Sequence, residues 1–183
     1  MKKKNISVII QARMSSTRLP GKIFLKVNSR YILDYLIERL SFSKRIDNLI
    51  IATTTNPKDK TITEYCKKNN ISYFLGSEEN VLSRYYLAAK KYNVDIIIRI
   101  TSDCPLIDPG IIDKMLDFYN KNSYDFISNT VPPPSNYPDG MDVEIFNFET
   151  LKKTYQNAQL PSEKEHVTFY MWKTKNFNIY KFP

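Results

Sequence analysis

The chain has 183 residues, 42% hydrophobic and 13% aromatic, with a formal net charge of +8. This composition fits one folded domain and excludes a disordered chain. Cys66 and Cys104, without CxxC spacing, exclude a disulfide scaffold and a thiolate zinc site and read as reduced thiols.

No apolar stretch is long enough to span a bilayer. The basic start, Lys2-Lys3-Lys4, leads into an apolar run that Gln11 and Arg13 cut short, with no small-residue cleavage site. A cytoplasmic protein that touches no membrane is expected. Most of the lysines fall on or beside expected helices as solvated faces, which argues against a nucleic-acid partner. Diffuse positive charge favours any polyanion, nucleotides included, and specifies none.

Strand and helix patterns alternate along the chain. The β-branched run at 6–10 predicts a buried strand, and Ile32, Leu33, Leu36, Ile37 and Leu40 predict a helix from about 30 to 42. A second strand is expected at 49–52, a helix at 62–69 and a short strand at 72–75. A helix follows at 78–92, with Ser77 as its N-cap. The most hydrophobic strand, 95–101, ends in Ser102-Asp103-Cys104-Pro105. Asp108-Pro109 opens a helix that turns Ile112, Met115, Leu116 and Tyr119 inward. Residues 126–128 read as a strand and 130–139, with four prolines, as a surface loop. A strand at 140–146, helices at 149–157 and 162–173, and a last strand at 177–182 complete the chain. This alternation predicts an α/β fold with a mostly parallel sheet covered by helices on both faces, in one domain over 1–183.

The loop after the first strand is the most informative segment. Gln11-Ala12-Arg13-Met14-Ser15-Ser16-Thr17-Arg18-Leu19-Pro20-Gly21-Lys22 combines three cations, three hydroxyls and a Pro-Gly turn. Open α/β sheets bind ligands at the carboxyl edge of their strands, and spaced cations with hydroxyls suit a polyphosphate better than a single carboxylate. The segment reads as a nucleoside-triphosphate loop or as a solvated basic turn.

Asp103, just past the central strand, should emerge at the same edge. It suits Mg²⁺, which takes one or two carboxylates plus substrate phosphates, and it also suits a turn cap before Pro105. Asp139, Asp142 and Glu144 cluster around Gly140. On a strand, Asp142 and Glu144 would share one face, to bind a second metal or a sugar hydroxyl or to meet solvent. His166, the only histidine, follows Glu165 and is either a general base or an exposed surface group.

Together these blocks resemble the cytidylyltransferases that activate acidic sugars, a family that includes the acylneuraminate, 3-deoxy-manno-octulosonate and spore-coat polysaccharide types. The match spans essentially the whole chain. It takes in the loop through Lys22, Ile51-Ala52-Thr53-Thr54, the run from Gly76 to Tyr85, Arg99 to Asp108, Tyr137 to Glu144, and Leu160 to Thr168.

The resemblance implies a three-layer α/β/α sandwich of the nucleotide-diphosphosugar-transferase type. It implies CTP and a small acidic sugar or sugar phosphate as substrates, with Mg²⁺ as cofactor. Arg13, Arg18 and Lys22 would contact the triphosphate and Asp103 the metal. Ser77 and Arg84 would help hold the nucleotide, with Ala12, Ser16 and Thr53 on the same side. Asp139, Asp142, Glu144, Glu165 and His166 would face the acceptor.

The family usually continues into another strand and helix, whose Val-Asp-x-x-Glu-Asp-like start resembles a second metal ligand. This chain carries no such motif. The expectation is that Asp142 or Asp139 serves instead, that a partner supplies the ligand, or that the chain is a form of weak or no activity. The same element would bear on dimer formation, so a homodimer stays open. A nucleotide-sugar-dependent glycosyltransferase on a similar sheet is the remaining enzymatic alternative.

Overall fold

A computed structural model describes residues 3–16 and 19–183 of the chain. At its centre lies β1 (Ile6–Gln11), whose Val8, Ile9 and Ile10 are fully buried. It pairs in parallel with β4 (Asn48–Thr54) on one side and β6 (Ile96–Thr101) on the other. Strand β5 (Ser72–Gly76) extends the parallel set beyond β4.

Beyond β6 the direction reverses. β8 (Glu144–Asn147) runs antiparallel to both β6 and β7 (Phe126–Ser128), and β9 (Ile179–Lys181) pairs in parallel with β7. The seven strands lie in the order β5-β4-β1-β6-β8-β7-β9.

Alternation along each strand divides the core between the two faces. Val8, Ile10, Ile51, Ile98 and Ile100 face α1 (Ile32–Ser41), α2 (Lys60–Lys68) and α4 (Pro109–Lys121), whose Leu33, Leu36, Ile62, Ile112 and Met115 meet them. Ile9, Ile50, Ile97 and Phe146 face α3 (Val81–Lys91), α5 (Phe148–Asn157) and α7 (Phe169–Lys173). The expected three-layer sandwich is therefore present, with a short α6 (Pro161–Glu165) ahead of α7.

Several elements differ from the sequence reading. A small hairpin of β2 (Lys26–Val27) and β3 (Arg30–Tyr31) precedes α1, turning through Asn28 and Ser29, both at positive φ. Helix α3 starts at Val81, capped by Asn80, whose side-chain oxygen accepts from the Ser83 N–H at 2.8 Å. Ser77 lies upstream of that cap, where its hydroxyl accepts from the Asn80 N–H at 3.0 Å. The single helix expected over 162–173 is interrupted, with Val167 at φ 41 between α6 and α7. The strand expected over 140–146 begins only at Glu144.

That late start bears on the acids near Gly140. Arg99 and Glu144 are register partners in β6 and β8. Arg99 Nη1 donates to Glu144 Oε2 at 2.6 Å and Arg99 Nη2 to Gln11 Oε1 at 3.1 Å. The Thr168 hydroxyl donates to the other Glu144 oxygen at 3.0 Å. Burial opposes the charge on Arg99, but Glu144 outweighs it and holds the guanidinium above its ordinary range. Glu144 is thus a buried structural partner with both oxygens occupied, where the family resemblance implied a residue facing the acceptor.

A buried pair is costly to break and cheap to replace as a unit. Arg99→Met, which strands the Glu144 carboxylate, is expected to cost about 3–5 kcal/mol of stability. The double change Arg99→Met with Glu144→Leu should recover most of that loss. Urea denaturation of the two variants and the wild type measures both quantities.

Candidate active site

Strands β1 and β6 end level at one edge of the sheet, β4 runs two residues further, and a cavity of about 940 Å³ opens there. Gln11, Ala12, Arg13, Ser16 and Lys22 form the wall contributed by the first loop. Thr101, Ser102 and Asp103 form the wall that continues β6. Glu78, Glu79, Asn80, Val81 and Arg84 come from the approach to α3 and its first turn, and Pro161, Lys164, Glu165 and His166 from α6 and the residue after it.

The first loop is shaped by backbone bonds. Its start stays on the sheet edge, with the Ala12 N–H donating to the Ala52 carbonyl at 3.1 Å. At Met14 the chain leaves the sheet. Its N–H donates to an Asp59 carboxylate oxygen at 2.6 Å, and its carbonyl accepts the Gly21 N–H at 3.0 Å. Gly21 has φ 69, which glycine adopts without the strain a side chain would bring, and a Cβ there would lie 3.2 Å from the Met14 methyl. The turn delivers Lys22 at the start of a 3₁₀ turn, Lys22–Phe24, so that its ammonium donates to the Asp103 carboxylate.

Two acids that the sequence reading left without a role at this loop hold it in place. Asp59 is completely buried and also accepts the Thr54 hydroxyl. Glu78 accepts the Ser15 hydroxyl with one oxygen and the Asn56 amide at 2.9 Å with the other. Those bonds, from Ser15 first and then Asn56, keep its carboxyl below the usual range. Asp59 lies between Asn56-Pro57 and an amphipathic helix, a position that reads as an ordinary cap. Glu78 reads as a first-turn acid. Their partners lie 45 and 63 residues away, so no local pattern identifies them.

The electrostatics of the cavity are uneven. Burial pushes the Asp103 carboxyl up, but the bonds from Lys22 and Thr101 and the Lys22 charge outweigh it and leave it below the usual carboxylate range. Arg84 is 1% exposed, and desolvation lowers its affinity for a proton. Its Nη1 donates to the Ser77 carbonyl at 2.9 Å, while its Nε makes no hydrogen bond among the described residues.

Of the residues singled out from the sequence, Ala12, Arg13, Ser16, Lys22, Arg84, Asp103, Glu165 and His166 line this one cavity. Arg18 lies outside the described residues. Thr53 is buried within β4, and Ser77 contributes its carbonyl to Arg84 without lining the cavity. Asp139 is exposed on the loop, and Asp142 folds back to accept the Gly140 N–H at 3.2 Å; neither lines the cavity. Among the described residues, no three His, Cys, Asp or Glu side chains cluster closely enough to hold a metal by themselves. Likewise, no described helix is long and apolar enough to cross a membrane.

The chain has relatives among known proteins. The profile of the cytidylyltransferase family matches residues 7–182. The spore coat polysaccharide biosynthesis protein SpsF of Bacillus subtilis is 36% identical over 174 residues, 91% of this chain and 70% of that protein. A cytidylyltransferase structure from Leptospira borgpetersenii serovar Hardjo-bovis superposes with a TM-score of 0.93 at 41% identity, covering 99% of this chain and 76% of the other. The fold is shared more distantly with a CMP:2-keto-3-deoxy-manno-octonic acid synthetase solved with CTP. That match has a TM-score of 0.74 at 17% identity and covers 98% of this chain and 89% of the other. The chain belongs to the cytidylyltransferase family.

Proposed function

We propose that the protein transfers the cytidylyl group of CTP to a hydroxyl of an acidic sugar or sugar phosphate, releasing pyrophosphate, in the making of a surface polysaccharide. The observation that carries this reading is the convergence of Arg13, Lys22 and Asp103 on one cavity at the carboxyl edge of β1 and β6. Family membership and the role printed for the SpsF relative support it.

In this transfer an acceptor oxygen forms a bond to the α-phosphorus while the bond to the leaving pyrophosphate breaks. The protein's share of catalysis is positioning and charge stabilisation. Arg13 and Lys22 stand on the loop wall to meet the triphosphate. Arg84, desolvated and with a donor to spare, adds a buried cation behind them. Glu165 and His166 lie on the α6 wall and are the titratable groups there to face an acceptor.

Asp103 is the residue that would hold Mg²⁺. It offers a hard oxygen donor in the cavity, and the Lys22 ammonium already occupies the cation position beside it. Bound there, Mg²⁺ would neutralise phosphate charge and fix its orientation. Lys22 and Asp103 therefore exchange partners on binding: the ammonium turns to a phosphate and the carboxylate becomes free.

Two results are expected. Arg13→Ala and Lys22→Ala should each raise the CTP dissociation constant by roughly tenfold or more, since each removes a charge-assisted contact, while circular dichroism stays native. Calorimetric titration measures this, and unchanged affinity in both variants contradicts the phosphate assignment. Pyrophosphate release from CTP, followed over a panel of acidic sugars and sugar phosphates, should occur with at least one acceptor. It should fall by roughly a hundredfold or more in Asp103→Asn. A protein that ignores CTP and instead transfers the sugar of a nucleotide-sugar to an acceptor, or to water in its absence, is a glycosyltransferase.

A further inference from the structure

Asp59 sits at the N-terminus of α2, where an aspartate ordinarily accepts from the first free N–H groups of the helix. Here its side chain makes no such bond. Both oxygens point elsewhere, one to the Thr54 hydroxyl at the end of β4 and the other to the Met14 N–H at 2.6 Å. The side chain is fully buried, and its contacts bind two separate carboxyl-edge loops together. A capping role therefore does not account for it.

Met14 is the residue through which the phosphate loop is closed. Its N–H is held by Asp59, and its carbonyl receives the Gly21 N–H at 3.0 Å. Arg13 immediately precedes this point and Lys22 immediately follows Gly21. A single peptide anchor thus fixes the launch point of Arg13 and Lys22, the two cavity-lining cations that the described part of this loop supplies. The Ser15 hydroxyl, bonded to Glu78, supplies a second and more exposed tether to the same stretch.

We propose that Asp59 is a positioning residue for triphosphate binding, acting through the Met14 N–H to hold Arg13 and Lys22 in register without touching the nucleotide. The inference rests on the reading of this loop as the phosphate site. It makes a demand that a purely structural role does not make, because ligands with three phosphates should feel the loss of Asp59 and a ligand with one should barely feel it.

The test compares wild type, Asp59→Ala and Asp59→Asn, each titrated calorimetrically with CTP, inorganic tripolyphosphate and CMP in the presence of Mg²⁺. Asp59→Ala is expected to weaken CTP and tripolyphosphate by roughly tenfold and CMP by less than about twofold. Asp59→Asn keeps an oxygen that accepts from Met14 and should stay within about threefold of wild type. Amide hydrogen exchange supplies a readout that survives a poorly folding variant. In the wild type the Met14 amide should be strongly protected. In Asp59→Ala protection should fall at Met14 and Gly21 but persist at Ala12, whose partner is the Ala52 carbonyl.

Equal loss of CMP and CTP affinity in Asp59→Ala, unchanged affinity for both, or a wild-type Met14 amide exchanging at the rate of an unfolded chain overturns the assignment. Wild-type protein that binds neither CTP nor tripolyphosphate overturns the phosphate-site reading, and this inference with it. Wild-type protein that binds both, with Asp59→Ala binding just as tightly, overturns this inference alone.

Discussion

The parallel pairing of β1 with β4 and β6 is the constraint on which the rest of the molecule depends. Because β1 is hydrogen-bonded on both sides and covered on both faces, its middle admits only apolar side chains. Gln11 pairs level with Ala52 on one flank and with Thr101 on the other, so the polar continuations of β1 and β6 leave the sheet together while β4 runs on to Thr54. Charged groups far apart in sequence meet at that edge because the core leaves them no other exit. Lys22 reaches Asp103 across 81 residues, and Asp59 reaches Met14 across 45.

Paired charges within the sheet, at Arg99 and Glu144, show what such an exception requires. Arg99 and Glu144 occupy facing positions in β6 and β8, and each is satisfied more than once, by Gln11 in one case and by Thr168 in the other. Gln11 and Thr168 belong to the cavity wall and to the turn beside His166, so the buried pair also braces the back of the site. A buried ion pair adds little net stability over an apolar pair of similar volume, whereas half of one is strongly destabilising. It therefore fixes the relative placement of β1, β6, β8 and the α6–α7 turn more than it strengthens the fold.

This division explains what was legible in the sequence. Strands β1, β4 and β6 stand out as runs rich in β-branched apolar residues, and Asp103 is legible because it follows the most hydrophobic of them. The loop from Gln11 to Lys22 is legible because its residue types are unusual for a turn. Less visible are the features set by single dihedral angles or by distant partners. The β2–β3 hairpin turns on Asn28 and Ser29 rather than on a telltale glycine. The break after α6 rests on Val167, a β-branched residue at positive φ that no propensity predicts. Glu144 reads as an exposed alternating acid until Arg99 is placed opposite it. Asp59 looks like a cap, and only three-dimensional proximity shows that it holds the neighbouring loop.

Charge offers the sharpest contrast between the whole chain and its site. The chain carries +8, yet the described cavity wall sets Arg13, Lys22, Arg84 and Lys164 against Glu78, Glu79, Asp103 and Glu165, four of each sign. The proposed recognition of a polyphosphate therefore would not follow from the general basicity, which is spread over helices and loops and is screened within about 10 Å at ordinary ionic strength. It depends on which groups are already satisfied. Glu78 is occupied by Ser15 and Asn56, and Asp103 by Lys22, while the Arg84 Nε is a buried donor without an acceptor. A triphosphate at the proposed site would meet described side chains neutral in sum, with Glu78 held by Ser15 and Asn56 and with Lys22 drawn away from Asp103. This arrangement favours an anion by geometry where net charge alone would not.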